Sequence, residues 1–312
     1  MDPDPRAAPP GTSRRPVALA AAAALLGAAA LGAGLLLRPA PPPAALFLTP
    51  SASSSSAAPP SLHFGEAAAF LARQPGFLGI VVRDRRTNAV WRSGATDHLT
   101  WAASTVKLAM VVSLLEQARV GQVTLDAKAR QQIADVLNWS SDDAADALWN
   151  RYEGEKMVPR FTGKYGMAKL AFQAGFPHRW GHMKCTPDDL LALMGYIADK
   201  ALPEDRTFLI DSMRSVGPVQ RWGVWGAGPD QRPGNKDGWS VEPDGGSRHW
   251  VADSVGFAGP DERYLVAVMY HLPPSAGVAA PGIHAGAHAV SDLVATLFGA
   301  PVPAVVSVPD HD

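Results

Sequence analysis

Ser104 and Lys107 stand three residues apart in Ser104-Thr105-Val106-Lys107, at the head of a strongly apolar segment. On a helix that spacing puts both side chains on one face, a turn apart. A serine hydroxyl becomes a nucleophile only when a base takes its proton. A lysine does so when burial or a nearby cation lowers its pKa. A helix N-terminus also offers backbone N–H groups to developing negative charge. The plainer reading of the same residues is an N-cap serine and a surface lysine.

Two further groups could complete such a site. Ser141-Asp142-Asp143 lies at the start of another helix, where Ser140 or Ser141 followed by acids is equally an ordinary N-cap. Lys236-Asp237-Gly238 opens a β-like stretch. A lysine there would lower the pKa of Lys107 and bind an anionic group. The glycine would let a substrate approach the backbone. A rival Lys164-Tyr165-Gly166 sits in helical surroundings. His178, His182 and Cys185 have ligand-like spacing, but no carboxylate lies between the two histidines and Gly181 weakens a helix there. His284 and His288 share the spacing on the closing helix and read as an exposed face. No metal and no cofactor is expected.

The elements that must carry these groups follow from periodicity. Ala67 to Arg73 reads as a short helix. Leu78–Arg83 and Ala89–Arg92 read as strands joined at Arg85-Arg86-Thr87-Asn88. Leu108, Val111, Val112 and Leu115 form one apolar helical stripe. Helical patterns run on to about Val216. Three strands follow, Asp237–Val241, His249–Val255 and Arg263–Tyr270. They are separated by Pro243-Asp244-Gly245-Gly246 and Gly259-Pro260-Asp261-Glu262. An apolar helix from about Ala285 to Phe298 closes the chain. The simplest packing is of α+β type within the broad α/β class. One five-stranded antiparallel sheet has the terminal helices over one face, with a mostly helical subdomain beside it.

The order S-x-x-K, Ser-Asp, Lys-x-Gly, on this succession of elements, resembles the penicillin-recognising serine hydrolases. These are the class A β-lactamases and the penicillin-binding D-Ala-D-Ala peptidases, whose signature is S-x-x-K, S-D-N and K-T-G. The resemblance covers roughly Ser61 to Gly299. It implies that Ser104 forms the acyl-enzyme with Lys107 as its base, that Ser141 relays a proton to the leaving group, and that Lys236 sets the field and holds a substrate carboxylate. It also implies an oxyanion hole from the backbone N–H groups of Ser104 and Trp239. Asp143, Asp237, Gly238 and Trp239 would contact substrate, and Trp222, Trp225 and Trp239 are candidates to line the cleft.

The chain departs from the pattern. Asp143 stands where the family has Asn, and Asp237 where it has Thr or Ser. An ionised Asp237 would repel a substrate carboxylate unless its pKa is raised or it points away. In His178-Arg179-Trp180-Gly181, the last residue falls where class A enzymes place the Glu that activates the deacylating water. Without that base an acyl-enzyme breaks down slowly; His178 or His182 are the candidate substitutes.

The first sixty residues are of another kind. They lack Lys and hold one aromatic, Phe47. Val17 to Leu37 is an uncharged apolar run of 21 residues, long enough to span a bilayer. Arg6, Arg14 and Arg15 precede it, which orients the N-terminus inward. The expected organisation is a cytoplasmic tail at 1–16, a transmembrane anchor or signal segment at 17–37, a Pro/Ser-rich linker at 38–60 and a hydrolase domain at 61–312. A cleaved signal and a twin-arginine signal at Ser13-Arg14-Arg15 are the alternatives to an anchor. The one cysteine, Cys185, excludes an internal disulfide, a cysteine zinc cage and a lipidated cysteine after the apolar run. With 28 Lys+Arg against 29 Asp+Glu the chain has no basic excess for nucleic acid. The expected partners are a small-molecule or peptidoglycan-derived substrate and, through Val17–Leu37, the membrane. Two other functions fit: a pseudoenzyme that binds cell-wall peptide or a protein, and a plain structural envelope domain.

Overall fold

The computed structural model describes residues 61–302 apart from 245. The tail, the apolar run and the linker expected at 1–60 lie outside the described residues. Among those described, no helix is long and apolar enough to cross a membrane.

The chain enters through α1 (Phe64–Leu71), β1 (Phe77–Asp84), β2 (Val90–Gly94) and the short β3 (Thr100–Trp101). Helices α2 (Lys107–Arg119), α3 (Ala127–Trp139) and α4 (Asp142–Arg151) follow, then β4 (Ala171–Phe172) and β5 (Met183–Cys185). After α5 (Pro187–Asp199) and α6 (Pro203–Arg214) come β6 (Gly234–Asp244), β7 (Ser247–Ala258), β8 (Tyr264–His271) and α7 (Ala280–Phe298). The five long strands form one antiparallel sheet in the order β2-β1-β8-β7-β6. The β1–β2 turn uses Asn88 in the left-handed region (φ 59°), a conformation asparagine tolerates better than most residues. The period of 2 predicted the main sheet. It missed a three-stranded one, β3-β5-β4, whose strands of two or three residues are too short to show a pattern.

Alternation within β1 shows how the sheet divides two cores. Ile80 and Val82 face α1 and α7, whereas Val81 faces the helical layer. On β7 and β8, Val255, Phe257, Leu265, Ala267 and Met269 join Val81 on the helical side. The helical layer therefore covers the second face of the sheet. Its centre is α2. Residues Lys107 to Leu114 are all buried, so the first two turns of this helix have no solvent face, and the stripe read from the sequence is only the part that periodicity reveals. Helix α5 starts at a capping box: the Thr186 N–H donates to Asp189 Oδ2 at 2.8 Å, and Asp189 N–H donates to Thr186 Oγ1. That start follows directly on Cys185, which is fully buried and pairs with Thr100 just ahead of the Ser104 turn.

Candidate active site

Ser104 sits in a tight 3₁₀ turn, Ala103–Val106, that runs straight into α2. The turn is held from outside: the Ala102 N–H donates to Met183 O at 2.9 Å, tying it to β5. Ala103, immediately before the serine, has φ 43°, the kind of strained backbone that persists only where its surroundings enforce it. The Lys107 N–H donates to the Ser104 carbonyl and so fixes the one-turn spacing. Lys107 is fully buried. Its Nζ donates to Ser140 O at 2.6 Å and to Asp142 Oδ1 at 2.5 Å, and lies 4.2 Å from the centre of the Trp180 ring. Burial holds its pKa below the usual lysine value, against the pull of Asp142 and Asp146.

The structure brings Ser140, not Ser141, to the lysines. Helix α3 ends at Trp139 and Ser140 turns into the left-handed region (φ 59°). This throws Ser140 inward, where its Oγ accepts from Lys236 Nζ at 2.8 Å. Ser141 is the N-cap of α4 and its Oγ accepts from Ala144 N–H at 3.2 Å. The sequence motif fitted the cap; the left-handed residue before it had no sequence signal. The same one-residue shift moves the acid: Asp142 reaches the cleft and Lys107, while Asp143 is exposed in the first turn of α4.

Lys236 is also fully buried, on the edge strand β6. All three of its N–H groups have acceptors: Ser140 Oγ, Gln220 Oε1 at 2.6 Å and Asp237 O at 2.7 Å. Burial, reinforced by Lys107, pushes its pKa well down. The sequence reading missed Gln220, whose amide uses both ends. Its Oε1 also accepts from Asp237 N–H, and its Nε2 donates to Leu137 O and Asn138 O at the end of α3. It lies in a short turn with no motif around it.

Strand alternation turns Asp237 away from the cleft. It is fully buried beside Ser254 and Asn235, and burial pushes its carboxyl pKa well up. Neither carboxyl oxygen has a hydrogen bond of normal geometry among the described residues. The expected repulsion of a substrate by Asp237 is thus removed by both routes at once. Gly238 faces the nucleophile. A Cβ there would lie 2.8 Å from the backbone nitrogens of both Ser104 and Thr105, so only glycine lets β6 approach this closely. Opposite it on β7, Asp253 is fully buried, accepts from Tyr270 N–H at 3.2 Å and likewise has its pKa pushed well up by burial. Trp239 and Trp222 are both buried in one core cluster, edge-on with ring centres 6.2 Å apart, and of the two Trp239 also borders the cleft. Trp225 is half-buried under the Arg221 guanidinium.

Across the cleft lies the turn Trp180–His182. Gly181 lines the cleft, but the residue that meets Lys107 is Trp180, fixed by a 2.8 Å bond from its Nε1 to Asp146 Oδ1. Asp146 also binds Arg179. The position where a carboxylate base was looked for is Gly181, and the aromatic face beside it is that of Trp180. His178 pairs with Glu155 and stacks on Phe172, and His182 bonds Pro177 O through Nδ1. His284 and His288 are half-buried on α7 rather than exposed. Glu242, further along β6, lines the cleft and has its pKa raised by burial; its even spacing from Lys236 was the available signal. Together these walls enclose about 760 Å³ with Ser104, Ser140 and Asp142 at one end.

Solved structures of this fold are found. A variant of the reconstructed last common ancestor of Gram-negative class A β-lactamases, GNCA4, superposes with a TM-score of 0.62 at 17% identity, covering 75% of this chain and 96% of that one. The β-lactamase of Sphaerobacter thermophilus gives 0.59 at 19% identity, over 76% and 96%. The fold is that of the class A β-lactamases. A family model described as "Beta-lactamase enzyme family" matches residues 65–142, the segment holding Ser104, Lys107, Ser140 and Asp142. A chain of Mycobacterium tuberculosis named "Putative lipoprotein LppW" is 27% identical over 226 residues, 67% of this chain and 70% of that one; its Mycobacterium bovis counterpart matches equally. On the class A β-lactamase fold, this chain brings a serine, two lysines and a second serine together, with Asp142 beside them and Asp237 buried behind.

Proposed function

We propose that the protein is an extracytoplasmic serine hydrolase, held at the membrane through Val17–Leu37, that acts through a Ser104 acyl-enzyme on a β-lactam or a peptidoglycan-related amide or ester. The observation that carries this is the convergence of two fully buried lysines, both with lowered pKa, on Ser140 beside a cleft-lining Ser104. Lysines are seldom buried without a task.

In this reading Lys107 takes the proton of Ser104 as Ser104 Oγ bonds to the substrate carbonyl carbon. The bond from that carbon to the leaving group breaks, and the leaving atom receives the proton of Ser140. Lys236 then returns a proton to Ser140. The proton that Lys107 took then passes to Lys236, which restores both lysines, so the net transfer is from Ser104 to the leaving group. The close approach of Gly238 to the Ser104 backbone nitrogen supports the Trp239 N–H as the second oxyanion donor. The "lipoprotein" in the name of the mycobacterial relative supports an envelope location.

The test is intact mass of residues 61–312 after incubation with penicillins and cephalosporins, with Ser104→Ala alongside. The expected result is a persistent adduct on the wild type alone. Persistence is expected because the turn that faces Lys107 presents Trp180 and Gly181 rather than a carboxylate, and the carboxylate already at Lys107, that of Asp142, is held in an ion pair. The same observation favours a second reading, a binder of cell-wall peptide with little turnover. Muropeptide binding with neither adduct nor loss of drug would establish it in place of the first.

A further inference from the structure

We infer that the end of the sheet away from the β6–β7 hairpin carries a second binding site, an arginine-lined hollow that takes a phosphate group. The site is separate from the Ser104 cleft and does not depend on the acyl-enzyme reading.

There β1 ends at Asp84 and passes into the turn through Arg85 and Arg86, and the turn from Gly259 to Arg263 joins β7 to β8 alongside it. Between these turns, the end of α5 and α6 lies a hollow of about 300 Å³. Arg85, Arg86, Arg206 and Arg263 line it, with Asp199 and Asp261, and none of these residues lines the Ser104 cleft.

Part of this charge holds the turns in place. Arg85 is fully committed: its Nε donates to Asp199 Oδ1, its Nη2 to Ala198 O, and its Nη1 to the carbonyls of Asp261 and Glu262 at 2.7 and 3.2 Å. Those two residues have φ of 57° and 51°, so Arg85 pins a strained turn. Arg263 binds Asp84 through Nε and Nη2, and Arg206 binds Ala198 O and Glu262 through the same pair of atoms.

Donors are left over after this pairing. A guanidinium has five N–H groups. Nη1 of Arg206, Nη1 of Arg263 and the whole guanidinium of Arg86 have no acceptor among the described residues, and all three side chains line the hollow. Charge is left over as well. Arg83 and Arg214 join at Asp199 and Glu262, so six arginines meet the four carboxylates of Asp84, Asp199, Asp261 and Glu262, an excess of two positive charges. A phosphate monoester carries about −1.5 to −2 near neutrality, which matches that excess. Its several oxygens also suit forked guanidinium donors arriving from three elements. Asp261 is the one carboxylate of the group without a bond of its own; it is exposed and opposes an anion in the hollow.

The test is calorimetric titration of the full chain, in neutral detergent, with inorganic pyrophosphate at fixed ionic strength, so that general screening is constant. Saturable binding at one site is expected. Arg86→Glu should weaken it by about 10-fold or more, because a charge-assisted donor becomes a repulsion. Asp261→Asn should tighten it by about threefold, the usual weight of one exposed charge. Both positions are exposed, and asparagine tolerates the positive φ at 261, so both variants should melt as the wild type does. Arginines that served only to hold the turns would give no such opposed response. Absence of saturable binding overturns the inference, and so does failure of either substitution to move the affinity in its stated direction. Competition by glycerol 3-phosphate, a lipid headgroup monoester without its chains, would assign the site to esterified phosphate. Binding of pyrophosphate without that competition would assign it to free phosphates.

Discussion

Ser140 and Ser141 are neighbours with separate tasks, and substitution should split them. Ser140→Ala removes the acceptor of Lys236 and, in the proposed reading, the proton for the leaving group. Acylation of Ser104 should fall by roughly 10²–10⁴-fold, the usual weight of a positioned acid or base, with little change in melting temperature. Ser141→Ala removes the α4 cap and should cost about 1 kcal/mol of stability while leaving acylation intact. Rapid-quench mass spectrometry and thermal melts on both variants check this; the reverse pattern would restore the motif as first read. Gln220→Met keeps the bulk but strips Lys236 of one acceptor and α3 of two donors. The acylation rate should drop at least 10-fold, and its pH profile should shift, because an ammonium with fewer partners gives up its proton more readily. A rate loss with an unmoved profile would reduce Gln220 to scaffolding.

At the scale of elements, β6 and the Trp180 turn decide what the site can do. Gly238→Val would drive two methyl groups into the Ser104 turn, and acylation should be lost while the folded protein is still recovered. Trp180→Glu would add a second carboxylate at Lys107, besides that of Asp142; the adduct of Ser104 should then decay at least tenfold faster than on the wild type, followed by mass against time. The β6–β7 pair also buries two acids, Asp237 and Asp253, both with raised pKa. Above the usual carboxylate value the unfolded chain gives up protons that the native state keeps. Stability from these groups is therefore complete below that value and declines as pH rises toward the native one, by about 1.4 kcal/mol per pH unit for each group. Asp253→Asn should remove one such slope, so its advantage over the wild type in calorimetric scans widens from pH 4 toward neutrality. A constant difference across that range would show that the group titrates alike in both states.

In the molecule as a whole, the sheet and its helices were legible because β1, β6, β7, β8 and α7 are long enough for a period to register. The positions of Ser104, Lys107 and Lys236 were legible for the same reason: each opens or begins a strongly periodic element. What could not be read depended on single dihedral angles and on contacts between distant segments. The left-handed turn at Ser140 moved the motif by one residue. Gln220 and Trp180 are defined by what lies across from them, and no spacing along the chain encodes that. Cys185 belongs to this layer of the molecule. It is fully buried, its thiol pKa is raised by burial, and it lies on β5 against the strand that leads into the Ser104 turn. An aromatic disulfide reagent can reach it only when the β3–β5 pair parts from the helical layer. Its rate of modification therefore times that opening, and reports the free energy of the local excursion when closing is fast. Acylation of Ser104 should slow the reaction, which makes one native sulfur a clock for how firmly the nucleophile's own support is held.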